Sequence, residues 1–337
     1  MTNPPNTANN GETLSHQEAM QRGLGGFPHE RHSTQRVQSP EGTLAQRAVQ
    51  EADELLARVN QQLREGTFDH SDLQLIEQMV EFLGDTRGLV RLGYAEALGV
   101  VGKPAVDTLI DALLHHPNVV VRRAAGKTLT LIEDPKAVPP LIQALLKDED
   151  TVVQASAIGA LARTGEASVE PLLEVLASPD SSESNKGHAA WALAFIGAKA
   201  KDRLYTAYQS DSPEVRAAVV GAIAKIVEEN RDDTQALNTL VKSLNDTAVN
   251  VRSEAAAVLG NLKYQPAIPT LMTLLDHSEA ETRKSAALSL MKIGDRNSIA
   301  PLQAALDHET EPGVKQAMSL AASLLQKQTE DTEEDDW

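Results

Sequence analysis

The chain has 337 residues, 41% of them hydrophobic but only 3% aromatic, with a formal net charge of −17 and no cysteine. Disulfides, thiolate catalysis and cysteine-ligated metals are therefore excluded, and a reducing, cytoplasmic setting is expected. The negative charge argues against a general nucleic-acid or anionic-membrane surface, and no apolar run approaches the roughly 20 residues of a membrane helix.

From the N-terminus, residues 1–42 are rich in Asn, Gly, Pro, Ser, Thr and Gln and are expected to be disordered. The start lacks the charged-then-apolar order of a signal peptide. Within it, GGFPHERHSTQRVQSP (25–40) carries Phe27, His29, His32, Arg31 and Arg36, and reads either as a docking segment or as a solvated tail. The HxxH spacing of His29 and His32 has no further ligands beside it and is a weak metal signal.

Residues 43–88 read as an irregular N-terminal capping pair. Thr43–Arg64 is a polar helix with Leu44, Ala48, Ala52, Leu55, Leu56, Val59 and Leu63 near one face, and Ser71 is expected to cap a second helix over 72–83.

From 89 to 327 one unit recurs. Its clearest copy is VRRAAGKTLTLIEDPKAVPPLIQALLKDED, residues 121–150. Ala125, Leu129 and Ile132 form the stripe of a first helix. Asp134-Pro135 breaks it. A second helix then buries Val138, Leu141, Ile142 and Leu145, with Pro139 and Pro140 in its first turn. The acidic run 148–150 suits the start of the next first helix. Equivalent first-helix anchors fall at Val90, Val121, Val153, Asn185, Val215, Val251, Thr282 and Val314, spaced by 31, 32, 32, 30, 36, 31 and 32 residues. Eight positions on stand Leu98, Leu129, Leu161, Leu193, Ile223, Leu259, Leu290 and Ala322. Such a period is the mark of a solenoid. One unit buries four or five large aliphatics at about 1.5–3 kcal/mol each, against about 1–2 kcal/mol per residue to order its backbone. Only stacking on neighbours makes it stable. The expected fold is an all-α, right-handed α-solenoid of HEAT-like helix pairs, the last unit keeping only its first helix and residues 328–337 forming an acidic disordered tail that ends in Trp337.

Two places depart from the template: SPDSSESNKG at 178–187, ahead of His188 and Trp191, and EENRDDTQ at 228–235, which produces the 36-residue spacing. Insertions of this kind map to loops on one face.

Units of about 30 residues reading VR-AA--L--IGDP-AVP-LI-AL are similar to the short HEAT-like repeats of the phycobilisome (bilin) lyase-type family, which is cyanobacterial. The resemblance covers about residues 73–327. It implies one of two roles: attachment, removal or handling of bilins on phycobiliproteins, or a purely adaptor role, one such type partnering an iron–sulfur scaffold protein. HAAWALAFIG (188–197) resembles the aromatic-rich first helix of lyase subunits, with Trp191 and Phe195 as its aromatics. The di-iron deoxyhypusine hydroxylase resembles the same architecture, but it needs His-Glu pairs at helix starts. Here His-Glu occurs only at 29–30 and 308–309, which excludes that enzyme.

The side chains divide into three groups. Arg91, Arg122, Lys186, Arg216, Arg252, Arg283 and Lys315, one past each anchor, are expected to form a structural ladder with acids of the preceding turn such as Asp150, Asp211 and Asp246. His115 and His116 suit the negative end of a helix. His188, Trp191, Tyr205 and Tyr208 fall within one repeat and could line a groove for a flat conjugated ligand, with core packing as the other reading of Trp191. Asp107, Asp111, Gln143, Glu170, Glu174 and Asp202 lie off the core stripe of the second helices, on the side such stacks make concave. They are expected to receive a basic or polar protein segment. No activated nucleophile, phosphate loop or metal cluster stands out. The functional expectation is a non-enzymatic interaction scaffold without a cofactor, tied to phycobilisome assembly or turnover. The alternative is a bilin lyase or bilin-handling chaperone with phycocyanobilin as a transient ligand.

Overall fold

The computed structural model describes residues 40–334, with side chains described for 46–328. The expectations for residues 1–39, including the histidine-bearing segment, and for Trp337 lie outside the described residues. The chain divides into two compact units at Ala48–Val49, and of the first only the opening of helix α1 is described. The architecture below is that of the second unit.

Helix α1 (Pro40–Glu65) starts three residues before the expected boundary, and α2 (Leu73–Glu81) follows. Asp72, not Ser71, caps α2: its carboxylate accepts from the Leu75 amide at 2.9 Å, whereas Ser71 donates its hydroxyl to Asp69 at 2.6 Å. A carboxylate at this position also favours the dipole, which is the advantage it holds over the serine. Eight first helices then alternate with seven second helices. The first helices are α3 (Gly88–Val101), α5 (Val119–Ile132), α7 (Thr151–Thr164), α9 (Glu183–Ile196), α11 (Pro213–Glu229), α13 (Val249–Asn261), α15 (Ala280–Ile293) and α17 (Pro312–Glu334). The second helices are α4 (Val106–His115), α6 (Val138–Lys147), α8 (Val169–Ala177), α10 (Lys201–Ala207), α12 (Thr234–Ser243), α14 (Ile268–Thr273) and α16 (Ile299–His308). No strand occurs among the described residues. The last helix continues to Glu334, past the end expected at 327.

Local chemistry sets each boundary. Asn118, Asp150, Ser182 and Ser212 accept hydrogen bonds from amides in the first turns of α5, α7, α9 and α11. At the other end the chain turns through positive φ at Gly102, Glu133, Gly165, Gly197, Lys263 and Gly294. Glu133 and Lys263 adopt it without being glycine, so the turn geometry is imposed by the repeat. The extra residues behind the 36-residue spacing are shared between a longer α11 of 17 residues and the turn before the Asp233 cap of α12.

Each first helix packs on the next, α5 on α7, α13 on α15 and α15 on α17, and each second helix packs on the first helix that follows it. Leu98, Leu129, Leu161, Leu193, Ile223, Leu259 and Leu290, one per unit, are all buried in a single continuous core. In the second helix of the 121–150 unit the buried set is Val138, Leu141, Ala144 and Leu145, with Ile142 only partly covered.

The cation ladder is real but points the other way from expectation. Arg122 donates to Asp148, Arg216 to Asp246, Arg252 to Glu279 and Arg283 to Glu309, and in each case the acid belongs to the turn after the arginine's own helix pair. The preceding turn contributes backbone carbonyls instead, from His116, Ser210, Asp246 and His277. A guanidinium carries in-plane donors along more than one edge, so one arginine can bridge two successive turns.

No helix among the described residues is long and apolar enough to cross a membrane.

Candidate functional site

The second helices present a face of short carboxylates over small residues. Between α8 and α10 lies a groove of about 630 Å³, lined by Glu166, Glu170, Glu174, Asp202 and Arg203. Three of the six expected partner-binding residues, Glu170, Glu174 and Asp202, therefore converge on one groove. They sit there because the buried stripe of α8 is Val169, Leu172, Leu173, Val175 and Leu176, which turns positions 170 and 174 outward.

Asp107 and Asp111 line a second groove of about 530 Å³, together with Glu77 and Glu81 of α2. Gln143 lines a third, of about 330 Å³, with His115, Lys147 and Glu149. The six residues thus fall into three hollows, of which the second and third adjoin at His115, His116 and Pro117.

Electrostatics separate the hollows further. Asp107 is paired with Lys136 at 2.5 Å, which partly neutralises that end, and Asp111 is hydrogen-bonded to His115 at 2.9 Å. Glu166 takes Arg203 at 2.7 Å. Glu170, Glu174 and Asp202 form no ion pair with any described residue, which leaves three free carboxylates on one groove wall. Glu77, Glu81 and Glu166 were not among the expected residues. The second-helix register that picked out Glu170 also points to Glu166, one turn earlier.

The four residues of the expected aromatic groove differ in burial. Trp191 is not core packing: it is 53% exposed on α9 and stacks on Phe195, itself 50% exposed, with ring centroids 5.7 Å apart. Tyr208 is buried, and its hydroxyl accepts from Ser243 at 2.9 Å. Tyr205 is half-buried, with the Lys201 ammonium 5.8 Å from its ring and a hydroxyl that lacks a partner; burial pushes that hydroxyl up to about 12. The Nδ1 of His188 is buried without a partner. Trp191 lies six positions past its anchor, off the stripe at four and eight, and a rotation of about 100° per residue carries it to the outer side of α9. Tyr205 lies on α10 and Tyr208 caps its C-terminal end, and both turn inward.

Among the described residues no three His, Asp or Glu side chains are placed to hold a metal ion. His308-Glu309 is committed elsewhere: the buried Glu309 carboxylate receives two hydrogen bonds from Arg283, at 2.7 and 2.8 Å, which hold its pKa down at about 2. That arrangement commits the Glu309 carboxylate to a turn.

A family model for HEAT repeats matches residues 106–183, 169–250 and 237–323. The chain is 40% identical over 212 residues to the bilin biosynthesis protein MpeU of Synechococcus sp. (strain WH8020), covering 63% of this chain and 71% of that protein. It is 30% identical over 149 residues to the bilin biosynthesis protein PecE of Nostoc sp. (strain PCC 7120 / SAG 25.82 / UTEX 2576), covering 44% of this chain and 57% of that one. Among solved structures, Kap121p bound to Nup53p superposes with a TM-score of 0.52 at 14% identity, over 77% of this chain and 34% of that one, a likeness of fold alone.

Proposed function

Because this chain belongs to the HEAT-repeat family, in its bilin lyase-type group, we propose that it works in cyanobacterial bilin biosynthesis by holding a phycobiliprotein against its second-helix face. The observation that carries this reading is the α8–α10 groove with its three unpaired carboxylates, Glu170, Glu174 and Asp202. A basic or polar segment of the phycobiliprotein fits such a wall. Each exposed pair contributes only about 0–1 kcal/mol. A row of them mainly raises the association rate and makes binding salt-sensitive. The setting proposed is the cytoplasm, where phycobiliproteins would meet it, and phycocyanobilin is at most a transient ligand.

The triple variant Glu170→Lys, Glu174→Lys, Asp202→Lys tests this against purified apo-phycobiliprotein. Binding should weaken at least tenfold at low salt, with the wild type losing affinity as salt rises. Unchanged affinity in the triple variant refutes the assignment of this groove.

A second reading, a scaffold that never touches the bilin, is favoured by one observation: Trp191 is exposed on α9, whereas Tyr208 is buried and bonded to Ser243. An iron–sulfur scaffold protein is a partner of that kind. Mixing the protein with phycocyanobilin, with and without apo-phycobiliprotein, separates the two. A change in visible absorption supports bilin handling, and its absence in both mixtures supports the scaffold.

A further inference from the structure

On the side away from the acidic wall, α9, α11 and α13 enclose a groove of about 430 Å³. Its walls are built from the smallest side chains available: Gly187, Ala190 and Ala194 on α9, Ala217, Ala218 and Gly221 on α11. The position of Gly187, two past its anchor, is small in the adjoining units as well, Ala155 and Ala217, and large in the more distant ones, Leu92 and Arg123.

Four charged groups line it: Glu183, Lys186, Glu214 and Glu254. Lys186 is matched by Glu183 at 3.7 Å, and Glu214 accepts from the Ser212 hydroxyl at 2.9 Å. Glu254 is different. Its carboxylate has no hydrogen bond or ion pair among the described residues, and burial alone holds its pKa above the usual carboxylate range. A methyl group on Gly221 would stand 3.1 Å from Oε1 of Glu254, so the missing side chain on α11 is what makes room for that carboxylate. Withdrawing a carboxylate from water without a partner is costly. A cation entering the groove would recover that cost.

We propose that this groove is a socket for one arginine side chain of a protein partner, whose guanidinium pairs with the Glu254 carboxylate while its methylene stem lies along Ala190, Ala194 and Ala217. The charge fits, because the lining holds three carboxylates and one ammonium. The shape fits, because a trimethylene stem needs a narrow apolar wall and the planar fork needs a carboxylate at its end. Lysine suits the site less well, since its ammonium is more strongly hydrated and presents no fork. The exposed Trp191–Phe195 stack, beside Ala190 and Ala194 on α9, offers an apolar shelf for the residues that flank the arginine. This contact is separate from the second-helix groove.

The test is a titration of the full-length, isotopically labelled protein with N-acetyl-arginine amide, read at the backbone amides of Gly187 and Gly221. Saturable shifts at both glycines are expected. The neutral isostere N-acetyl-citrulline amide should bind at least tenfold more weakly. Glu254→Gln should cost at least tenfold, and Ala194→Leu, which fills the groove and spares the carboxylate, should abolish the shifts. The triple lysine variant of the α8–α10 groove should respond like wild type, so this site can fail or hold independently of the phycobiliprotein reading. Citrulline matching arginine on the unmodified protein overturns the proposal. So does a folded Glu254→Gln that binds normally, or the lack of any shift.

Discussion

Arg216 and Asp246 face each other across one repeat junction with two hydrogen bonds, 2.9 Å from Nε and 2.7 Å from Nη2, and side chains only 14% and 10% exposed. The same guanidinium donates from Nη1 to the Ser210 carbonyl at 2.9 Å, so a single residue ties the turn before its helix to the turn after the next. Repeats make few long-range contacts apart from those with their neighbours, and clamps of this kind, at Arg122, Arg216, Arg252 and Arg283, fix how one unit sits on the next.

Replacing Arg216 by Lys should therefore destabilise the protein although the charge is kept. Lysine cannot bridge a carboxylate bidentately and a carbonyl at once. A loss of about 1–3 kcal/mol is expected in urea unfolding. Asp246→Asn should cost a similar amount, and the double variant less than the sum of the two. Simple additivity would show that the pair does not act as a clamp.

Acid should loosen the C-terminal junction. Glu309 is held at about 2, and its ordinary value is 4.5. The folded form therefore binds its proton less readily than the unfolded form, and its contribution is fully present above about pH 5. It is lost as pH falls from there toward 2. In Glu309→Gln this acid-linked share of the stability should be missing, so its unfolding midpoint should fall less steeply than that of the wild type between pH 5 and 3. Parallel curves would count against the assignment.

The α7 junction lacks its clamp, and the spacing of the others indicates how to supply it. Gln154 occupies the arginine position of α7 and keeps only the carbonyl contact, to Asp148 at 2.8 Å. The acid that would answer it, 26 residues on as for Arg122 and Asp148, is Asp180. Gln154→Arg should raise stability by about 0.5–1.5 kcal/mol, measured as an increase in the urea midpoint. No gain would mean that the turn at 178–182 is set differently from its counterparts.

Two helical glycines should respond oppositely to alanine. A Cβ on Gly159 of α7 meets nothing within 4 Å. The helix-propensity gain of about 0.8–1 kcal/mol should then appear in full. A Cβ on Gly260 of α13 would lie 2.9 Å from Oγ and 3.0 Å from Cα of Ser289 on α15. Backbone cannot yield there, so Gly260→Ala should destabilise by about 1–3 kcal/mol despite the same propensity gain. Thermal melts of the two variants moving in the same direction would contradict this picture.

The repeat was legible because its cause is local: a leucine or isoleucine eight residues past seven of the eight anchors and a glycine or proline in the turn after most first helices specify helix pairs, and pairs of that length bury their stripes only by stacking. The acidic second-helix face could be read for the same reason, since the burial of Val169, Leu172 and Leu176 forces Glu170 and Glu174 outward. The stagger between units was not legible. It alone determines that Arg122 reaches forward to Asp148 and not back, that Glu170, Glu174 and Asp202 share a hollow while Asp107 and Gln143 do not, and that Trp191 and Tyr208 face different surroundings. Contacts between residues about thirty positions apart depend on the rotation and offset of one helix pair on the next. That geometry is set by packing across the whole junction, and no single repeat encodes it.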